Sequence, residues 1–193
     1  ALDYNLGCSG YVYGLALAKG LVCSGIATNI LLITSETYSK YIKSSDKSNR
    51  TIFGDGASAS IISDNGIAEI MDFSLGTDGS GAKNLIIKDG GSRFPITNLG
   101  INGLENSSFL YMNGPEIFSF TSNAVPELVF DTLLKNNCIK SDIDLFVFHQ
   151  ANKFMLEHLR KKINIDESKF YIHLEGLWKY CFFNNSYRTK GSN

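Results

Sequence analysis

Ala1-Leu2-Asp3-Tyr4-Asn5-Leu6-Gly7-Cys8-Ser9-Gly10-Tyr11 carries the chain's clearest topological signal. Residues 1–6 read as a short apolar strand and Gly7 to Gly10 as a tight turn. Tyr11 to Cys23 reads as a helix of small and aliphatic residues closed by Ser24-Gly25. A strand that breaks at a reactive side chain and resumes as a helix is the repeating step of an α/β sheet. The step returns once: Asp144 to Phe148 reads as a strand, His149 follows, and residues 152–163 form an amphipathic helix. Ligands in such sheets bind at the carboxyl ends of strands. Two halves folded alike therefore bring Cys8 and His149 together.

The segments between fit the same class. Asn29 to Thr34 is a continuous β-type run, as in a strand covered on both faces. Residues 37–52 are polar and basic, a short helix and loop. Ala57 to Ser63 reads as a strand, Asp64-Asn65-Gly66 as a turn, and Ile67 to Phe73 as its partner strand. Residues 76–107 are glycine-rich strands and loops. Pro115 stands at the first turn of a helix reaching about Leu134, with a kink expected at Pro126. Phe170 to Leu174 reads as a last strand.

Composition narrows the function classes. The 193 residues are 44% hydrophobic and 19% charged, with a formal net charge of -1. That balance gives no electrostatic reason to bind nucleic acid. Lys19 interrupts the longest apolar run, around residues 11–22, so no membrane span is expected. No basic leader with a cleavage site is seen, and the first residues read as a cut through a larger domain. Cys8, Cys23, Cys138 and Cys181 are scattered, without metal-ligand spacing. A reducing cytoplasm and no metal or other cofactor are expected.

Cys8 lies between strand and helix, where a helix N-terminus and free N–H groups favour a thiolate. The turn works like a hydrolase nucleophile elbow, although a free cysteine is more often a small buried hydrophobe. Cys23 and Cys138, on helix faces, take that second reading. His149 is a donor, a base or a satisfied loop residue; His158 and His173 read as structural. Phe53-Gly54-Asp55-Gly56-Ala57 lacks a P-loop lysine and opens no helix, so it is no phosphate loop. Its glycines are expected to permit close backbone packing beside the site.

Five motifs in order carry a resemblance: Gly7-Cys8-Ser9-Gly10, Ser35-Glu36, Phe53 to Ala57, Met112-Asn113-Gly114, and His149-Gln150-Ala151-Asn152. The set resembles β-ketoacyl-ACP synthase III over residues 1 to about 176. The resemblance implies an incomplete thiolase-like fold of layered α-β-α-β-α type. Residues 1–107 would belong to its N-terminal half, 108–176 would begin its C-terminal half, and 177–193 would be an aberrant tail. It implies an acyltransferase in which acyl-CoA loads Cys8 and malonyl-ACP is condensed decarboxylatively to 3-ketoacyl-ACP, as in fatty acid biosynthesis. His149 would serve decarboxylation, Gly114 and Asn152 would lie along the pantetheine channel, and Phe53 near the acyl pocket. Lys47 falls where the family often has an arginine touching the CoA nucleotide, and lysine cannot fork or stack as arginine does. Lys153, Arg160, Lys161 and Lys162 cluster on the helix after His149, a docking surface for acidic acyl carrier protein or a solvated face. A homodimer is implied by resemblance.

The family's third catalytic residue, an asparagine in Gly-Asn-Thr, is missing after residue 174. Glu175-Gly176-Leu177-Trp178-Lys179-Tyr180-Cys181 stands there instead. Leu177 to Ser186 can be encoded as TTA TGG AAA TAC TGT TTC TTC AAC AAT TCC. Skipping the first base gives Tyr-Gly-Asn-Thr-Val-Ser-Ser-Thr-Ile-Pro, which matches the family, so a reading-frame slip after Gly176 is expected. Lacking that donor and the terminal strands, the chain is expected to fold poorly alone and to show little or no condensation activity. Rival readings are a chalcone-synthase-like or hydroxymethylglutaryl-CoA-synthase-like enzyme, a non-catalytic fragment or pseudoenzyme, and a cysteine hydrolase.

Overall fold

The computed structural model describes residues 1–92 and 108–173. Helix α1, Gly10–Cys23, buries Gly10, Gly14 and Ala18, a stripe of small residues one turn apart. This lets the helix lie close on a two-stranded antiparallel sheet of β1, Asn29–Thr37, and β2, Asp55–Ser63. Register runs from Asn29 opposite Ser63 to Thr37 opposite Asp55. Ala18, Leu32 and Ile62 form a core, with Leu15, Val22, Ile30 and Ile70 packed around it. Gly25, at φ +72°, makes the left-handed turn that ends α1 and donates its N–H to the Val22 carbonyl.

After a 3-10 turn at Tyr38–Tyr41 comes the one-turn helix α2, Lys47–Arg50, capped by Asp46. Strands β3, Leu85–Ile86, and β4, Tyr111–Met112, pair antiparallel. The long helix α3, Gly114–Lys135, begins at the N-cap Asn113 and passes through Pro126 as one element. Strand β5, Phe146–Val147, pairs parallel with β6, Phe170–Tyr171, and α4, Lys153–Ile163, lies between them in sequence. Phe146, Leu156, Ile165 and Phe170 form a second core with Val129, Ile143 and Phe148 against it. No helix among the described residues is long and apolar enough to cross a membrane.

Three expectations change. Residues 1–6 run into the Cys8 turn without strand pairing among the described residues. Residues 67–73 form no strand either, because side chains take up their backbone groups. Lys19 donates to the Met71 carbonyl, Asn136 bonds both the N–H and carbonyl of Asp72, and Lys135 donates to Phe73. The segment thus straps α1 to α3. Thirdly, β1 and β2 are covered on one face only: Leu31, Ile33 and Ile61, on the other, are 60%, 59% and 76% exposed. The strand expected at Phe170–Leu174 covers Phe170–Tyr171, and Leu174 lies outside the described residues.

Candidate active site

Cys8 sits in the turn just before α1, with Ser9 as N-cap. The turn closes when the Gly10 N–H donates to the Gly7 carbonyl at 2.8 Å. Although Cys8 is exposed as a residue, desolvation is the largest influence on its thiol and pushes its pKa above the ordinary value. A backbone N–H at Cys8 acts the other way, and the Glu36 carboxylate adds a further upward push. The thiolate that the turn was expected to favour is therefore disfavoured here. Part of the reason is local: the Gly10 N–H is already spent on Gly7.

Glu36 stands near the end of β1, and Tyr38 follows on the 3-10 turn. A Cβ at Gly7 would come 3.3 Å from the Tyr38 hydroxyl, so glycine there admits the tyrosine beside the sulfur's turn. Tyr38 stacks on Phe53 with ring centroids 5.1 Å apart and planes 20° apart. Its hydroxyl is pushed up in pKa by desolvation and by the nearby Cys8 and Glu36. Asp55 fixes this loop, accepting from the Ser39 N–H at 2.8 Å and from the Ser39 hydroxyl. Those bonds hold the Asp55 carboxyl below the usual carboxylate range.

Phe53 belongs to the wall of a cavity of about 410 Å³. Thr34 and Glu36 of β1, Arg50 of α2, the run Phe53 to Ser58, and Gln150 with Ala151 line it. The second, third and last of the five motifs thus meet across one space, through Glu36, Phe53 to Ala57, and Gln150 with Ala151. Gly56 lines it too, and a Cβ there would reach nothing within 4 Å. The close packing expected of that glycine is not what occupies it; the cavity is.

His149 follows β5, and burial lowers its pKa, which keeps the ring neutral near pH 7. Gln150 explains its own place: its amide donates to the Phe148 and Tyr171 carbonyls and accepts from the His173 N–H. It ties the ends of β5 and β6 together beside His149. The Asn152 Oδ1 caps α4, accepting from the Met155 N–H at 2.8 Å. Its amide nitrogen has no acceptor among the described residues. Gly114 opens α3 after the cap Asn113, and Lys47 is exposed on α2.

The basic cluster divides. Arg160 is paired with Glu157 at 2.9 Å, and Lys162 donates to Ser122 and Asn123 of α3. Lys153 and Lys161 are exposed, with no ion pair among the described residues. His158 is structural, as expected: its Nε2 lies 2.8 Å from the buried Ser122 hydroxyl. Cys138 donates to the Asn136 carbonyl, while Cys181 lies outside the described residues. Sequence reasoning missed Tyr38 and Arg50. A signal existed for the first, an aromatic residue just past a strand ending in Ser35-Glu36.

Comparison with known proteins gives one consistent result. The family model described as 3-oxoacyl-[acyl-carrier-protein (ACP)] synthase III matches residues 2–79, and the model of its C-terminal part matches residues 133–177. The chain is 36% identical over 177 residues to a β-ketoacyl-[acyl-carrier-protein] synthase III of Caldanaerobacter subterraneus, covering 91% of this chain and 53% of that protein. One from Chlamydia caviae is 36% identical over 173 residues, covering 89% and 51%. Among solved structures, a 3-oxoacyl-(acyl-carrier-protein) synthase III aligns with TM-score 0.81 at 50% identity, covering 89% of this chain and 54% of that one. A β-ketoacyl-[acyl carrier protein] synthase III from Thermus thermophilus aligns with TM-score 0.76 at 30% identity, covering 90% of this chain and 52% of that one. The chain spans about half the length of the curated relatives it matches.

Proposed function

Since the chain belongs to the β-ketoacyl-ACP synthase III family and has its thiolase-like α/β fold, we propose that Cys8 accepts an acyl group from acyl-CoA for condensation with malonyl-ACP. The observation that carries this reading is the shared cavity. Glu36 and Phe53, from the side of the Cys8 turn, face Gln150 and Ala151, the two residues after His149.

The Cys8 sulfur, as thiolate, attacks the thioester carbonyl carbon; the bond from that carbon to the CoA sulfur breaks. CoA thiolate leaves and takes up the proton Cys8 gave away. Malonyl-ACP then loses carbon dioxide, and the released electron pair forms a thioester enolate. A neutral His149 has one ring N–H to donate to that oxygen, in a site sheltered enough to depress its pKa. The enolate carbon attacks the acyl carbonyl on Cys8, the carbon–sulfur bond breaks, and 3-ketoacyl-ACP departs. Removing one donor from such a pocket typically costs about 10²–10³-fold in rate.

Lys153 and Lys161 are assigned to an acidic carrier protein, and Lys47, with Arg50 of the cavity wall, to the CoA nucleotide. We place the reaction in the cytoplasm, in a homodimer of the complete enzyme, with no resident cofactor. Residues 1–107 and 108–176 serve as portions of the two thiolase halves. Residues 1–193 hold no Gly-Asn-Thr, which favours loading without efficient condensation in this chain. Incubation with radiolabelled acetyl-CoA tests the proposal: label is expected on Cys8 and lost in Cys8→Ser. Free acid released without label on Cys8 supports a hydrolase, and no reaction supports a non-catalytic fragment.

A further inference from the structure

We propose that Gln150 positions His149 by supplying, from its side chain, the rung that the β5–β6 ladder lacks at its carboxyl end. The inference rests on the acyl-transfer reading for the use made of His149, and adds to it a positioning residue.

The parallel pairing of β5 with β6 stops early. Phe146 stands opposite Phe170 and Val147 opposite Tyr171, and no further rung follows among the described residues. A parallel ladder that ends leaves carbonyls and N–H groups without their next partners. Gln150 takes three of them. Its Nε2 donates to the Phe148 carbonyl at 2.9 Å and to the Tyr171 carbonyl at 3.3 Å, and its Oε1 accepts from the His173 N–H at 3.0 Å. Phe148 directly follows β5 and Tyr171 ends β6, so the amide spans the two strands as a backbone rung would. Reversing the amide would set its oxygen against both carbonyls, so the network admits one orientation.

His149 lies between Phe148 and Gln150, inside this bridge. Its own carbonyl accepts from the Ala151 N–H at 3.1 Å, which folds the backbone into a tight turn instead of extending the ladder. Asn152 then anchors the far end of the turn by capping α4. The imidazole is thus carried on a short span pinned to β6 on one side and to α4 on the other. Gln150 and Ala151 also line the cavity shared with Glu36 and Phe53, so the clamp sits in the wall of the site. Burial is the one influence among the described residues that displaces the titration of the His149 ring. That titration therefore reports the ring's shelter, and through it the ring's position.

The test titrates the full chain by nuclear magnetic resonance, following its three histidine rings in the unaltered protein, Gln150→Leu and Gln150→Met. Both variants keep comparable bulk and remove the hydrogen bonds; Met, unbranched like Gln, fills the same path if Leu does not fold. The His149 midpoint is expected to rise in both toward the ordinary imidazole value of about 6.5. The midpoint of His158, held by Ser122, is expected to stay where it is. An unchanged His149 midpoint in both variants overturns the clamp. So does a shift of His149 and His158 together, which marks a general loosening of the chain. Loading of Cys8 from acetyl-CoA is measured alongside in the unaltered protein by mass spectrometry. A raised His149 midpoint in the variants, with no loading of Cys8, supports the clamp and removes the acyl-transfer reading alone.

Discussion

Cys8 carries the chemistry in this account, and its surroundings make it a reluctant acid. Burial around the sulfur and the Glu36 carboxylate both oppose the thiolate, and one backbone N–H is not enough to reverse them. The sign is definite: a raised pKa means less thiolate at neutral pH, so reactivity should climb as pH passes above the free-thiol value. The rate of iodoacetamide alkylation at Cys8, measured against pH, should inflect above the ordinary free-thiol value. Glu36→Gln should move the inflection down, by less than the whole displacement, since desolvation is the larger cause. An inflection below the free-thiol value would mean that the turn's N–H groups dominate after all. His149 runs in the opposite sense: burial lowers its pKa, so its ring carries a single proton at pH 7 and can donate one hydrogen bond.

At the scale of elements, the decisive fit is α1 on β1. A Cβ at Gly14 would meet the Tyr4 hydroxyl and approach the Leu32 side chain to 2.7 Å. Gly14→Ala would add about 1 kcal/mol of helix propensity but overfill the contact, which costs about 1–3 kcal/mol. A net loss is expected, read as a lower midpoint in urea unfolding; a gain would mean that the helix stands off the sheet. Much of this layout was legible in the chain. Gly10 to Cys23, Asn29 to Thr34 and the helix opening at Pro115 announced themselves by apolar period, capping and turn residues. His149 does follow a strand, whereas Cys8 is placed only by the helix that follows it, since residues 1–6 form no paired strand among the described residues. Residues 67–73 were not, because alternation of apolar and polar residues cannot reveal that Lys19, Lys135 and Asn136 will claim their carbonyls. Tyr38 was missed because its role comes from a stack on Phe53, fifteen positions on. The backbone N–H expected to favour a thiolate at Cys8 does act in that direction and is overruled by burial, a quantity no local pattern contains.

For the whole molecule, two observations bear on the tail. The match to the C-terminal family model ends at residue 177, next to Gly176, where the Gly-Asn-Thr run should follow and does not. The outer face of β1–β2, with Leu31, Ile33 and Ile61 bare, has the character of a sheet surface that another layer covers. We propose a single-base slip after Gly176 to account for the first. Sequencing the coding DNA is expected to show that a one-base shift there opens a frame reading Gly-Asn-Thr. If no such frame opens, the tail is genuine divergence, and condensation in this chain has to proceed without that asparagine.

The most direct measurement concerns distance. A nitroxide attached to Cys8, with Cys23, Cys138 and Cys181 replaced by serine, broadens the magnetic resonance signals of nearby rings. Signals from His149 are expected to broaden strongly, and more than those of His158, which lies against Ser122 on the far turns of α4. An unaffected His149, with the label confirmed on Cys8 and the chain folded, would contradict a shared site for the sulfur and the imidazole.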